Sequence, residues 1–181
     1  MLLLKSRARL KSISLLFLIF VLHAPACKNQ AGNNASDILS DPPSFEGKVV
    51  GIKDGDTFIV LDGTAQVTVR LSDIDCPEKN QPFGTRAKQA ASDLCFGKPV
   101  TVVRKARNDR YGRLIGEVFV DKISVNKEMV RQGLAWQFTR YSKDPVYKQL
   151  EQSARDRKVG IWSEKSPTPP WMWRKKRQTP V

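Results

Sequence analysis

Two short stretches of the chain hold carboxylates at spacings that could do chemistry. The first, "DGDTF" at residues 54–58, sets Asp54 and Asp56 on either side of a glycine. The second, "RLSDIDCPE" at 70–78, follows Arg70 with Asp73, Asp75 and Glu78. Each acid alone reads as a solvated turn residue, but both stretches border strand-like runs that could lie side by side. Carboxylates brought together in this way repel one another unless a cation or arginines neutralise them. Arg70 directly precedes the second cluster, and Arg113 closes "NDRYGR" at the start of a further strand-like run. Planar guanidinium groups grip phosphoryl oxygens bidentately and stabilise the extra charge of a five-coordinate phosphorus. A hard cation, a carboxylate able to orient water and two arginines suffice in principle to hydrolyse a phosphodiester.

Composition narrows the choice. His23 is the only histidine, and it lies in a segment expected to be cleaved. Mechanisms built on an imidazole base, nucleophile or ligand are thereby excluded from the mature chain. With Cys27, Cys76 and Cys95 as the only cysteines, a Cys-only tetrahedral zinc site cannot form within one chain. Any metal must then be held by oxygen, which points to calcium or magnesium. Cys76 and Cys95 could pair in an oxidising compartment, or Cys95, at the end of an amphipathic stretch, could be a buried thiol.

The elements that must position these residues follow from the pattern. Lys5, Arg7, Arg9 and Lys11 precede an apolar run, Ile13 to Leu22, and then Ala24-Pro25-Ala26, which reads as a signal peptide over residues 1–26. The run is far short of the ~18 to 20 residues of a membrane span, which makes an uncleaved anchor the weaker reading. Secretion or periplasmic release is expected, with lipidation of Cys27 as a minor alternative. The 181-residue chain carries +13; without the leader, 27 basic against 18 acidic residues leave +9, enough to attract polyanions such as nucleic acid.

Residues 27–44 are polar with a Pro pair and read as a linker. Strand patterns cover Gly47 to Lys53, Thr57 to Leu61, Val67 to Leu71, Pro99 to Arg104 and Leu114 to Val120. Helical patterns cover Gly84 to Leu94, Ser124 to Gln132 and Pro145 to Lys158. The expectation is a mainly β, α+β domain over 45–162: a five-stranded barrel of the oligonucleotide-binding (OB) type with three helices. The tail, 163–181, contains "SPTPPWMWRKKRQ". It reads as a strand-like appendage whose tryptophans pack on the domain, or as a binding arm in which Trp171 and Trp173 stack and Arg174 to Arg177 contact phosphates.

"DGDTF", "VRLSDIDCPE" and "DRYGR", followed in order by "VNKEMVRQGLAW" and "GIW", resemble the staphylococcal nuclease (thermonuclease) family over about Gly47 to Trp162. The "PTPPWMWR" ending resembles tails of secreted bacterial members. The resemblance implies an OB-fold barrel with three helices and a calcium-dependent nuclease that cuts DNA and RNA with little sequence preference, leaving 3′-phosphate ends. It implies that Asp56, Asp75 and the backbone carbonyl of Cys76 hold Ca2+, with Asp54 as the turn former. It implies Glu78 as general base or water-positioning group, and Arg70 and Arg113 as the arginines that bind the target phosphate. Arg110, Tyr111 and Tyr141 would contact the bound nucleotide, Thr139 standing where a second tyrosine is usual. No protein partner is implied, and a monomer is expected. The alternative is a noncatalytic nucleic-acid-binding OB module; a polybasic envelope protein would explain the charge but not the ordered motifs.

Overall fold

The computed structural model describes residues 43–178 and, of these, the side chains up to 176. The leader, its cleavage region, Cys27 and the linker up to Pro42 lie outside the described residues. The sheet begins with β1 (Ser44–Asp54), β2 (Thr57–Asp62) and β3 (Ala65–Leu71), each rich in the Val, Ile and Thr residues that suit a pleated, half-buried surface. A two-residue strand, β4 (Ile74–Asp75), precedes helix α1 (Gly84–Cys95), after which come β5 (Pro99–Arg104) and β6 (Leu114–Val120). The short β7 (Ile123–Ser124) leads into α2 (Val125–Arg131), and β8 (Trp136–Gln137) into α3 (Pro145–Asp156). A 3-10 turn, Gly160–Ser163, and a last helix, α4 (Pro170–Gln178), complete the chain.

The barrel closes because β1 serves two neighbours. Its first half pairs with β5, from Ser44↔Val103 to Lys48↔Pro99, and its second half with β2, ending at Asp54↔Thr57. Register shifts between Val49 and Gly51 and between Ile52 and Asp54 are the irregularities that let a strand bend from one partner to the next. Strand β6 pairs antiparallel with β5 and parallel with β3, through Val69↔Leu114 and Leu71↔Gly116, and so removes the open edges. The result is a closed five-stranded barrel of mixed pairing, the expected OB-type, mainly β fold. Val49, Phe58, Val60, Val69, Leu71, Val102 and Val118 fill it, and Ala87 and Ala91 of α1 with Met129 and Val130 of α2 join the same core.

Two helices start at side-chain caps: Ser124 accepts from the Lys127 N–H, and Asp144 from the Val146 N–H with Pro145 at the first position. Helix α1 starts without one, after Phe83 at φ 65. Buried Asn126 ties the layers together: it donates to the Ser72 and Gly116 carbonyls and accepts from the Val118 N–H.

Two features differ from the sequence expectation. The tail is a helix, not a strand-like appendage: Pro170 sits at its start, where a missing N–H costs nothing, and no β-branched residue follows through Gln178. Among the described residues this tail helix adds a fourth to the three expected of the domain. The short pairs β4–β8 and β6–β7 carry no periodicity of their own, being two residues each. Of the two readings of the cysteines, the structure has the buried thiol: Cys76 and Cys95 are both free and buried, the Cys95 thiol donating to the Ala91 carbonyl.

Glu117 is a buried carboxylate in the middle of β6. It accepts from the Ser124 hydroxyl at 2.7 Å and the Tyr147 hydroxyl at 3.4 Å, and pairs with Lys105 at 3.1 Å and Lys127 at 3.3 Å. Burial acts to raise its pKa, but the Ser124 hydroxyl and the two lysines outweigh this and hold it below the ordinary 4.5. A carboxyl with a lower pKa folded than unfolded adds stability above about pH 4.5 and loses it as pH falls through the folded value. Glu117→Gln is expected to lower stability at neutral pH by about 2 kcal/mol, read by urea unfolding. The gap to the parent protein should close as pH falls below about 4.5; a gap that stays constant down to about pH 3 would mean that the charge contributes nothing.

Candidate active site

The pairing of β2 with β3 sets Thr57 directly across from Arg70, and the Leu71 N–H donates to the Asp56 carbonyl. This brings the two acidic stretches together. Asp54 and Asp56 occupy a tight turn in which Asp54 Oδ1 accepts the Asp56 N–H at 3.1 Å, so Asp54 is the turn former. Burial first, and the charge of Asp56 second, push the Asp54 carboxyl up to about 6. Gly55 is required by space: a Cβ there would stand 2.9 Å from the Cβ atoms of both Ala87 and Cys76.

Asp56 points inward. Its Oδ2 accepts the Cys76 N–H at 2.7 Å and lies 3.1 Å from Arg70 Nη2; its Oδ1 accepts from the Thr57 hydroxyl. Asp75, 1% exposed, reaches the same Arg70 Nη2 at 2.9 Å. The other nitrogen of the fork, Nη1, donates to the Leu71 and Ile74 carbonyls. Burial disfavours the Arg70 cation, but Asp56 and Asp75 overcome it and raise its pKa. One guanidinium thus holds the two carboxylates together and the loop that carries them.

The position of Asp75 depends on the far side of the molecule. Strand β4 pairs with β8 through Ile74↔Gln137 and Asp75↔Trp136, and the Phe138 N–H donates to the Asp73 carbonyl. Strand β8 is in turn held by α3, whose Glu151 accepts the Gln137 N–H. Glu78 follows the buried Cys76-Pro77 turn, and its carbonyl lies against Gly84, where a Cβ would be 1.9 Å away. A glycine at the start of α1 is what lets the Glu78 loop fold this closely. Glu78 Oε1 is 2.6 Å from Arg174 Nη1 of α4, and Arg174 Nη2 is 2.7 Å from Asp75 Oδ2. Burial acts to lower the Arg174 pKa, but the hydrogen bonds to Asp75 and Glu78 raise it above the ordinary value.

Arg113 closes the array from the opposite side. Its Nε and Nη2 pair with Asp109 Oδ2 at 2.8 and 2.7 Å, and its Nη1 reaches Thr57 Oγ1 at 3.4 Å. Asp109 also accepts the N–H groups of Tyr111 and Arg113, so that it shapes the turn as well as aiming the arginine. Burial opposes ionisation of Asp109, but these hydrogen bonds outweigh it and lower its pKa. Tyr111 is exposed, with the Arg110 guanidinium 4.8 Å above its ring and Arg110 Nη2 2.7 Å from its hydroxyl. Tyr111, Gly112 and Arg113 line an open groove of about 420 Å³ with Lys53, Gln66, Val67 and Thr68. Tyr141 lies elsewhere, exposed beside Phe138 at 4.9 Å between ring centres.

Asp56, Asp75, Glu78, Arg70 and Arg113 are therefore linked side chain to side chain, with Arg110 and Tyr111 at the groove. Two features escaped the sequence. Lys53 in the groove wall carries no motif. Arg174 was legible only as part of a basic run, although its spacing of three from Trp171 would have set both on one helical face. The donor set fits a hard cation by its chemistry: among the described residues it offers two buried carboxylates and no imidazole. The Cys76 thiol is pushed well up by burial and then by Asp56, so it stays protonated and is no soft ligand. Among the described residues no group of three or more His, Cys, Asp or Glu side chains is arranged around one point, so an ion at Asp56 and Asp75 would complete its shell with carbonyls and water.

Comparison with known proteins shows the family. The staphylococcal nuclease homologue family matches residues 68–164. An uncharacterised endonuclease of Escherichia coli is 45% identical over 134 residues, 74% of this chain and 87% of that protein. One of Haemophilus influenzae is 42% identical over 132 residues, 72% of this chain and 74% of its own. A micrococcal nuclease of Shigella flexneri is 40% identical over 142 residues, covering 72% of this chain and 81% of that protein. A closed OB barrel bearing this linked set of acids and arginines, with matches of that extent, places the chain in the staphylococcal nuclease family as a nuclease.

Proposed function

We propose that the protein is an exported, calcium-dependent endonuclease that hydrolyses DNA and RNA with little sequence preference and leaves 3′-phosphate ends. The observation that carries this reading is the unbroken array Arg113–Thr57–Asp56–Arg70–Asp75 beside a groove walled by Lys53, Arg113 and Tyr111. Export is supported by the basic-then-apolar leader.

Asp56 and Asp75, with the Cys76 carbonyl, would hold Ca2+, which supplies a fixed positive charge against the phosphate when bound. The protein's own groups do the rest. Arg113 keeps Nη1 only weakly occupied, at 3.4 Å from Thr57, so it is the guanidinium with a hydrogen free to meet a phosphoryl oxygen. Asp109 fixes the rest of its fork and so limits the rotamer freedom lost on binding. Arg70 reinforces the same charge, although its four protein contacts make it the organiser of the carboxylates first. Glu78, about a third exposed and ion-paired with Arg174, would take a proton from water at the phosphorus once released from that pair. Arg110 and Tyr111 would take a flanking phosphate and Tyr141 a base face, through charge and stacking rather than base edges.

Arg113→Ala is expected to lower cleavage on the order of 10²-fold or more with the melting temperature unchanged, and Arg113→Lys to restore only part, since an ammonium lacks the planar fork. Arg70→Ala should lose stability and activity together, because two buried carboxylates lose their cation. Cleavage of single-stranded and duplex DNA and of RNA should stop with chelator and return with calcium. Fragments should carry 3′ ends that a polymerase extends only after phosphatase treatment; DNA bound but left intact under all conditions would replace this reading with a noncatalytic binder.

A further inference from the structure

Arg174 lies at the carboxylate site although it belongs to the tail, 96 residues beyond Glu78. Helix α4 is seated by Trp171, which stacks on Phe138 at 5.6 Å and meets Trp136 edge-on at 5.7 Å. Arg174 comes one turn later on the same face, and this delivers its fork to Asp75 at 2.7 and 3.3 Å and to Glu78 at 2.6 Å. Since Arg70 also contacts Asp75 Oδ1 at 2.9 Å, both oxygens of that carboxylate are taken by guanidinium groups.

We propose that Arg174 is a cation-displaced latch: in the ion-free protein it fills the positive-charge position at Asp75 and holds Glu78 in an ion pair, and a divalent cation engaging Asp75 drives it out and frees Glu78. This rests on the reading of Asp56 and Asp75 as the cation ligands. A divalent ion and a guanidinium repel at contact distance, so one arginine must yield. Arg70, 12% exposed, is anchored by two carbonyls and a second carboxylate. Arg174, 39% exposed, has only the two acids. The more exposed, less anchored group leaves. Cation uptake and release of the candidate proton acceptor thereby become one event.

The test is a calcium titration of the mature chain by calorimetry in the absence of nucleic acid, with tryptophan emission followed in parallel. The variants are Arg174→Ala, Arg174→Lys and, as a control for tail charge, Lys176→Ala. Arg174→Ala is expected to bind calcium about tenfold more tightly, because the open form no longer has to be selected from a mostly closed population. Arg174→Lys should fall between the two, and Lys176→Ala should stay within about twofold of the parent, as a solvent-exposed, salt-screened charge does. The parent's tryptophan emission should change along the binding isotherm, and that change should shrink in Arg174→Ala. Should Arg174→Ala bind calcium no more tightly than the parent, the latch is overturned while the cation reading stands. If neither protein takes up calcium, or if Asp56→Asn leaves uptake unaltered, the cation reading falls and the latch with it.

Discussion

One guanidinium, that of Arg70, makes the site possible. Asp56 and Asp75 are both buried, and two carboxylates brought that close would each favour protonation or drive the loops apart. Arg70 lies between them with a single nitrogen, Nη2, in reach of both, while Nη1 donates to main-chain carbonyls of the loop it supports. The arrangement stores two negative charges in the interior without leaving either unpaired, the condition under which a buried ion pair is tolerated. A polar cluster of this kind adds little to net stability, but it defines where the charge sits.

The rest of the fold serves that placement. The bent β1 allows the barrel to close, closure sets Thr57 across from Arg70, and the parallel β3–β6 pair brings Arg113, one residue ahead of β6, to the same end. Asp75 owes its position to a two-residue ladder with β8, which is itself held by Glu151 of α3. Gly55 and Gly84 mark where backbone and side chains approach too closely for any Cβ. Side chains supported from several elements in this way keep their geometry without relying on a flexible loop.

The tail extends the same electrostatic logic. A hydrophobic cluster of Trp136, Ile161 and Trp162, apart from the barrel core, receives Trp171 and so converts a Pro-rich ending into a docked helix. The neighbouring Arg155 covers Trp162 at 3.8 Å, giving the cluster a charged lid. Aromatic packing thus decides where a tail cation is delivered, and the acid cluster supplies its binding partner.

The alternation of β-branched runs with turn residues marked five strands and the three central helices, because propensity and periodicity are properties of near neighbours. The residue types likewise marked the candidate chemistry: acids and arginines in a fixed order, with His23 outside the described residues, are groups suited to a phosphoryl substrate. The two-residue strands and the tail helix were not legible, since a ladder of two residues has no period and α4 depends on a distant aromatic seat. Partner choice was equally hidden. Cys76 meets Asp56 across 20 residues, Arg113 meets Thr57 across 56 and Arg174 meets Asp75 across 99. Sequence by itself determined which charges the protein carries and in what order; only barrel closure and helix docking decided which of them meet, because electrostatic partners are set by distance in space and not by distance along the chain.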